Sequence, residues 1–181
     1  MLQIAPMTPS PETWLPLFDD WAQHPTHDTV DRELVHKHQT HNVLVARAEQ
    51  VGPDHFGCEL RFPSDHPFFF EHPVDHVPGL ALIEAGRQMG LLVTHQWYGV
   101  PTSGFTYLMK ELTTTFDSFA SLDEPVFGHS CVADVRERKG VVHSMQFTGH
   151  YHQRGRSIGH ITGVWTILPN AVIDRWKPSN R

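Results

Sequence analysis

The segment HPFFFEHPVDHVPGLALIEAGRQMG, residues 66–90, decides the fold. A polar, aromatic, histidine-rich loop runs into Pro78-Gly79, and an apolar helix begins at once. Pro suits the first turn, where its missing N–H would have no intrahelical partner. No further Pro occurs before Tyr98, and Gly99 and Pro101 end the run, so a helix is expected over 79–98. Its apolar positions, from Leu80 through Leu82, Ile83, Ala85 and Met89 to Val93, cover nearly the whole circumference. Such a helix is buried. Glu84, Arg87, Gln88 and His95 interrupt it at spacings of three, four, seven and eleven, which place them along one side. An acid, a cation and an amide on a buried helix are costly unless paired or used.

The flanks read as strands. Runs over 43–48 and 55–62 precede the helix, separated by Gly52-Pro53-Asp54. After it come 105–116, with the β-branched run Thr113-Thr114-Thr115, then 126–135, 141–152 and 158–168, the last three joined by polar turns at 137–140 and 154–156. Two strands, one long helix and four strands argue for α+β with a mostly antiparallel sheet. A helix apolar all round needs a sheet curled around it.

That arrangement resembles the hot-dog fold. His66-Pro67-Phe68-Phe69, then Asp75-His76-Val77-Pro78-Gly79, then Glu84-Ala85-Gly86-Arg87-Gln88 resemble the A-factor biosynthesis (butyrolactone synthase-like) branch of that superfamily. Val35-His36-Lys37 and Asn42-Val43-Leu44-Val45 resemble the family's entry into its first strand. More loosely, the helix motif is similar to 3-hydroxyacyl-carrier-protein dehydratases. Aligned on Pro67-Phe68-Phe69, that resemblance puts His72 at the dehydratase histidine and Glu84 at its acid, with a loop two residues shorter and Glu71 where those enzymes have Gly.

The resemblance implies transfer of a β-ketoacyl group from a carrier protein or CoA to a small phosphorylated alcohol. Dehydration or hydrolysis of an acyl thioester is the alternative, and a non-catalytic acyl or lactone sensor is the alternative of another class. Glu84, His72 and Arg87 are the expected catalytic residues, Arg87 as a fixed cation for a phosphorylated acceptor. Gly79, Phe69, Phe70, His76 and Gln88 are expected to contact substrate. Glu84, set among apolar groups, is expected to have a raised pKa and to move a proton near neutral pH, with His72 as the complementary base. The helix start offers free N–H groups to a carbonyl oxygen gaining charge. The bland readings are that Glu84 and Arg87 form a structural ion pair and that Gln88 ties the helix to a loop.

The family's better-known members carry two such domains in tandem, whereas this chain has one copy of the pattern. The expected division is an extension at 1–30, with a short amphipathic helix or turn around 12–23, a hot-dog domain at 31–168 and a surface tail at 169–181. A lone domain is expected to work as a homodimer. Fourteen Lys plus Arg against twenty Asp plus Glu give a net charge of -6, so no general attraction to nucleic acid is expected. No apolar run is long enough to span a membrane, the N-terminus lacks signal-peptide features, and Cys58 and Cys131 read as reduced, packed thiols in a cytoplasmic protein. No cofactor is expected beyond the phosphopantetheine or CoA that carries the acyl group, whose phosphates the basic turns at 136–139 and 154–156 are candidates to meet. Fifteen histidines invite a metal, and His150 and His152 share a strand face, but no zinc spacing is present and no metal is expected.

Overall fold

The structure, a computed structural model, describes residues 14–176. The expected non-signal N-terminus, the first residues of the expected amphipathic helix and the end of the tail lie outside the described residues. Six antiparallel strands form one open sheet: β1 (Val45–Gly52), β2 (His55–Leu60), β3 (Phe105–Phe116), β4 (Val126–Arg138), β5 (Val141–Gln153) and β6 (Arg156–Pro169). Their order is β1-β2-β4-β5-β6-β3, so β1 and β3 are the edges. Helix α1 (Leu15–Gln23) precedes them, α2 (Gly79–Gln96) lies between β2 and β3, and α3 (Asn170–Asp174) follows β6.

Helix α2 fills the concave side. Ala81, Leu82, Ala85, Met89, Leu92 and Val93 are buried, packed with sheet residues such as Phe56, Phe147, Tyr151 and Trp165. Two glycines let helix and sheet approach this closely. A Cβ on Gly86 would sit 2.7 Å from Ile161 Cγ2 and closer still to the Tyr151 hydroxyl, and a Cβ on Gly128 would enter the Met89 side chain. Tyr151 donates from that hydroxyl to the Leu82 carbonyl at 2.7 Å, fixing the first turns of α2.

The hairpins follow their turn chemistry. Lys139-Gly140 and Arg154-Gly155 both take positive φ at the two central positions, the geometry that matches strand twist. Strand β1 starts at Val45 rather than at 43, because the Leu44 N–H is spent on the Gln88 side chain. Part of the expected tail instead forms the single-turn α3 beside β3 and β6.

The convex side is covered in part by α1. Trp14, Phe18 and Trp21 pack against Phe127, and all six residues of β2 are buried because that strand has α2 on one face and α1 on the other. Arg47 ties the end of α1 down, donating to the Trp21 and His24 carbonyls, pairing with Glu59 at 2.6 Å and lying over the Trp21 ring. No helix among the described residues is long and apolar enough to cross a membrane.

Candidate active site

One side of α2 faces a loop, not the sheet. Residues 30–44 cross it in two short 3₁₀ turns, Arg32–Val35 and Thr40–Asn42. Arg87 clasps Glu84 with two hydrogen bonds, Nε to Oε2 at 2.8 Å and Nη2 to Oε1 at 2.9 Å. Lys37 of the loop reaches the same carboxylate, Nζ to Oε1 at 2.6 Å. Gln88 is 0 % exposed and fully used. Its amide nitrogen donates to Glu84 Oε1 and to the Asn42 carbonyl, and its oxygen accepts the Leu44 N–H at 2.7 Å. The structure therefore brings Glu84, Arg87 and Gln88 together, and makes Gln88 the tie between helix and loop.

The expected protonation of Glu84 is reversed. Burial does raise its pKa, but Arg87, Lys37 and Gln88 outweigh burial and hold the carboxyl down to about 2. At neutral pH Glu84 is a carboxylate with two cations around it, and the cluster carries one net positive charge. It has no proton to give.

His72 is not part of this cluster. It is exposed, and it makes no hydrogen bond, ion pair or ring contact among the described residues. The shortened loop before Pro78 leaves the position aligned with the dehydratase histidine without a partner. His66 takes a place that the sequence did not assign. It is buried, its Nε2 is 2.9 Å from Asn42 Oδ1, and its Nδ1 faces the N–H groups of Phe68 and Phe69. An accepting Oδ1 on one side and donating amides on the other fix the proton on Nε2. Burial, with His41 and Lys37 nearby, lowers the His66 pKa. Phe69 packs on the His66 ring and, like Phe70, is half-buried.

Gly79 and His76 sit elsewhere, at the start of α2. There Phe116, Phe119 and Leu82 join them around an open cavity of about 510 Å³. His76 bridges to Ser121 and pairs with Asp75 at 2.9 Å. Glu84 does not line that cavity, so the residues expected as one site occupy two places along the helix. His150 and His152 do share the outer face of β5, yet His150 stacks between His129 and His160 while His152 packs on Trp14. Arg154 of the second basic turn pairs with Glu124.

Comparison with known proteins agrees with this architecture. The chain is 35 % identical over 80 residues to a 2-oxo-3-(phosphooxy)propyl 3-oxoalkanoate synthase of Streptomyces griseus, covering 44 % of this chain and 26 % of that protein. It is 41 % identical over 66 residues to a synthase of the same name from Streptomyces coelicolor, covering 36 % of this chain and 18 % of that protein. The matches thus span about a quarter or less of these relatives' length. Among solved structures it resembles a dehydratase heterocomplex of Xenorhabdus doucetiae, with TM-score 0.60, 14 % identity, 84 % of this chain and all of that one covered. A mutant thioesterase of Pseudomonas aeruginosa superposes with TM-score 0.54 at 13 % identity over 79 % of this chain and 97 % of that one. These two likenesses establish the fold. The model of the A-factor biosynthesis hotdog domain matches residues 19–169, from within α1 to the end of β6, and the chain belongs to that family.

Proposed function

We propose that this domain transfers a β-ketoacyl group from a carrier-protein or CoA thioester to a small phosphorylated alcohol. The observation that carries the reading is the Glu84 cluster: two cations share one carboxylate on a mostly buried helix face, leaving a fixed positive charge suited to a phosphate. The Streptomyces relatives are named for an ester whose alcohol part is 1-hydroxy-3-(phosphooxy)propan-2-one and whose acid part is a 3-oxoalkanoate. That alcohol, brought to this chain as a proposal, offers both the phosphate for the cluster and a hydroxyl for the thioester. Dehydration fits less well, since loss of hydroxide needs a proton donor and Glu84 is ionised.

Assembly belongs to the same reading. Edge strand β3 exposes Leu108, Met109, Leu112 and Phe116. We propose that two copies associate through this edge, which would otherwise present unpaired backbone groups and apolar side chains to water.

The test is turnover of 3-oxoacyl-CoA and 3-oxoacyl carrier protein, with and without 1-hydroxy-3-(phosphooxy)propan-2-one, followed by mass spectrometry. Ester is the expected product. Free acid alone identifies a thioesterase, enoyl product a dehydratase, and saturable binding without turnover a sensor. Arg87→Ala should raise KM for the phosphorylated alcohol by tenfold or more while leaving KM for its unphosphorylated counterpart unchanged.

A further inference from the structure

His36 holds an uncommon backbone position. It ends the first 3₁₀ turn with φ 55° and ψ 48°, the left-handed region that Gly adopts freely and that Asn, Asp and His enter more often than other residues. The turn is held from several sides. Asp31 caps it by accepting the Glu33 N–H, the Lys37 N–H donates to the Arg32 carbonyl, and the Lys37 ammonium is on Glu84. So placed, His36 turns its Nε2 to within 2.9 Å of His95 Nε2.

The tautomers follow from the partners. His95 is buried at 7 % exposure, with Nδ1 2.6 Å from the Val100 carbonyl oxygen. A carbonyl only accepts, so His95 Nδ1 carries the proton and His95 Nε2 is bare. His36 must then donate from Nε2, which leaves its Nδ1 as a free lone pair. No hydrogen bond to that nitrogen occurs among the described residues. The Tyr107 ring meets His36 edge-on at 5.2 Å and fixes the plane of the imidazole. His36 is exposed and borders an open cavity of about 820 Å³ that Arg32, Lys37, His38, Phe105 and Asn170 also line.

The charges around it favour the neutral ring. Cover of one side of the ring by His95 and Tyr107, then the charge of His95, then that of Arg87, push the His36 pKa down to about 4. Lys37 and Arg32 on its own loop add positive charge, against Glu33 on the same turn and Glu84 across on α2. His36 is thus a neutral proton acceptor at neutral pH, beside the cations of the Glu84 cluster.

We propose that His36 is the base that takes the acceptor's hydroxyl proton, that His95 is its positioning residue, and that Arg87 and Lys37 hold the acceptor's phosphate. This rests on the acyl-transfer reading above. In the step, the hydroxyl O–H bond breaks as the proton moves to His36 Nδ1, and the oxygen bonds to the thioester carbonyl carbon. The C–S bond then breaks, and the proton passes from His36 to the departing thiolate. Ester and thiol are the products, and the balance needs no oxidant or reductant.

A purely structural contact would only pin the loop to the helix. The variants separate the two. His36→Gln reaches about as far as Nε2 and keeps an amide to donate to His95, so the clamp survives and the base is lost. His95→Gln keeps both a donor for Val100 and an acceptor for His36, whereas His95→Leu keeps neither. With 3-oxoacyl-CoA and 1-hydroxy-3-(phosphooxy)propan-2-one, kcat of His36→Gln should fall by about a hundredfold or more, with KM for the alcohol nearly unchanged. His95→Leu should fall similarly and His95→Gln should recover most of the rate, and wild-type kcat/KM should stay flat on the acid side down to about pH 5.

If wild type makes ester and His36→Gln keeps its rate within about threefold, the base assignment is wrong and the transfer reading stands. If wild type makes no ester, the transfer reading falls and takes the base assignment with it. Should the variants fail to fold, imidazole nitrogen NMR of the wild type decides. A proton on His36 Nε2, with Nδ1 shifting when the phosphorylated alcohol is added, supports the assignment, and a proton on Nδ1 overturns it.

Discussion

His129→Phe should remove a measurable part of this protein's sensitivity to acid. His129 lies on the convex face of the sheet at 1 % exposure, stacked between Trp14 at 5.0 Å and His55 at 5.3 Å. Burial first, then His55, His150 and His152, push its pKa from 6.5 to about 3. Between those two values the unfolded chain binds a proton that the folded chain refuses, so stability rises with pH across that window. The contribution is complete above about pH 6.5 and is lost as pH falls, levelling off near 3 where the folded ring also protonates. Going from pH 7 to pH 5 covers one and a half units below the unfolded value, so this one ring should cost about 2 kcal/mol. Phe keeps an aromatic face for Trp14 and does not titrate. Urea unfolding at pH 7, 6 and 5 should show wild type losing about 2 kcal/mol more than His129→Phe over the range. The other histidines held low contribute to both proteins alike. Glu84, held near 2 against a reference of 4.5, keeps its full contribution above pH 4.5 and does not enter the window. Equal losses in the two proteins, within about 0.5 kcal/mol, would refute the argument that His129 is folded as a neutral ring.

Glu84→Gln keeps the shape of the cluster but leaves Arg87 and Lys37 without their carboxylate. It should destabilise the fold by about 1–3 kcal/mol at pH 7, with the gap to wild type narrowing as pH falls below about 4.5. Denaturant titration checks this, and equal stability at pH 7 would show that the carboxylate does not anchor the cations. Gly86→Ala drives a methyl group toward Ile161 and the Tyr151 hydroxyl, and thermal melting should register a loss of about 1–3 kcal/mol. Leu112→Lys on the exposed edge of β3 should convert a two-chain species to one chain in light scattering at micromolar concentration, and a wild type of single-chain mass would remove the case for pairing through that edge.

The fold was legible because its punctuation is local. Pro78 and Gly99 bracket α2, and turn residues separate all six strands. The first boundary was misplaced because Gln88, forty-four residues away, captures the Leu44 N–H, and no local pattern announces that. Helix α3 went unread because five residues carry no periodicity. At the site, periodicity sufficed for what one helix presents: Glu84, Arg87 and Gln88 share a side and do meet. It failed for what the loop returns to them. Lys37, Asn42 and His66 lie in irregular segments, and the pKa of Glu84 is set by how many of those groups converge on it. His150 and His152 were readable as one face of a strand, but only the cross-strand register His129 to His150 to His160 makes a line of rings across the sheet.

The same inversion bears on which thioester reaction suits this chain. A buried carboxyl with a raised pKa serves dehydration, in which hydroxide, a poor leaving group, must depart as water. Glu84 is instead spent on holding two cations, and its ionised form is what keeps Arg87 of the helix and Lys37 of the loop together at a partly buried seam. Acyl transfer from a thioester has the opposite requirement. The thiol leaves readily as a thiolate, so no strong acid is needed, whereas the incoming alcohol needs a place to bind and a group to take its proton. A cation pair answers the first need for a phosphorylated alcohol, and a neutral imidazole with a free nitrogen, next to Lys37 in the chain, answers the second. The charge arrangement along α2 is therefore costly for one member of the thioester repertoire and serviceable for another, and that asymmetry is what the product analysis measures.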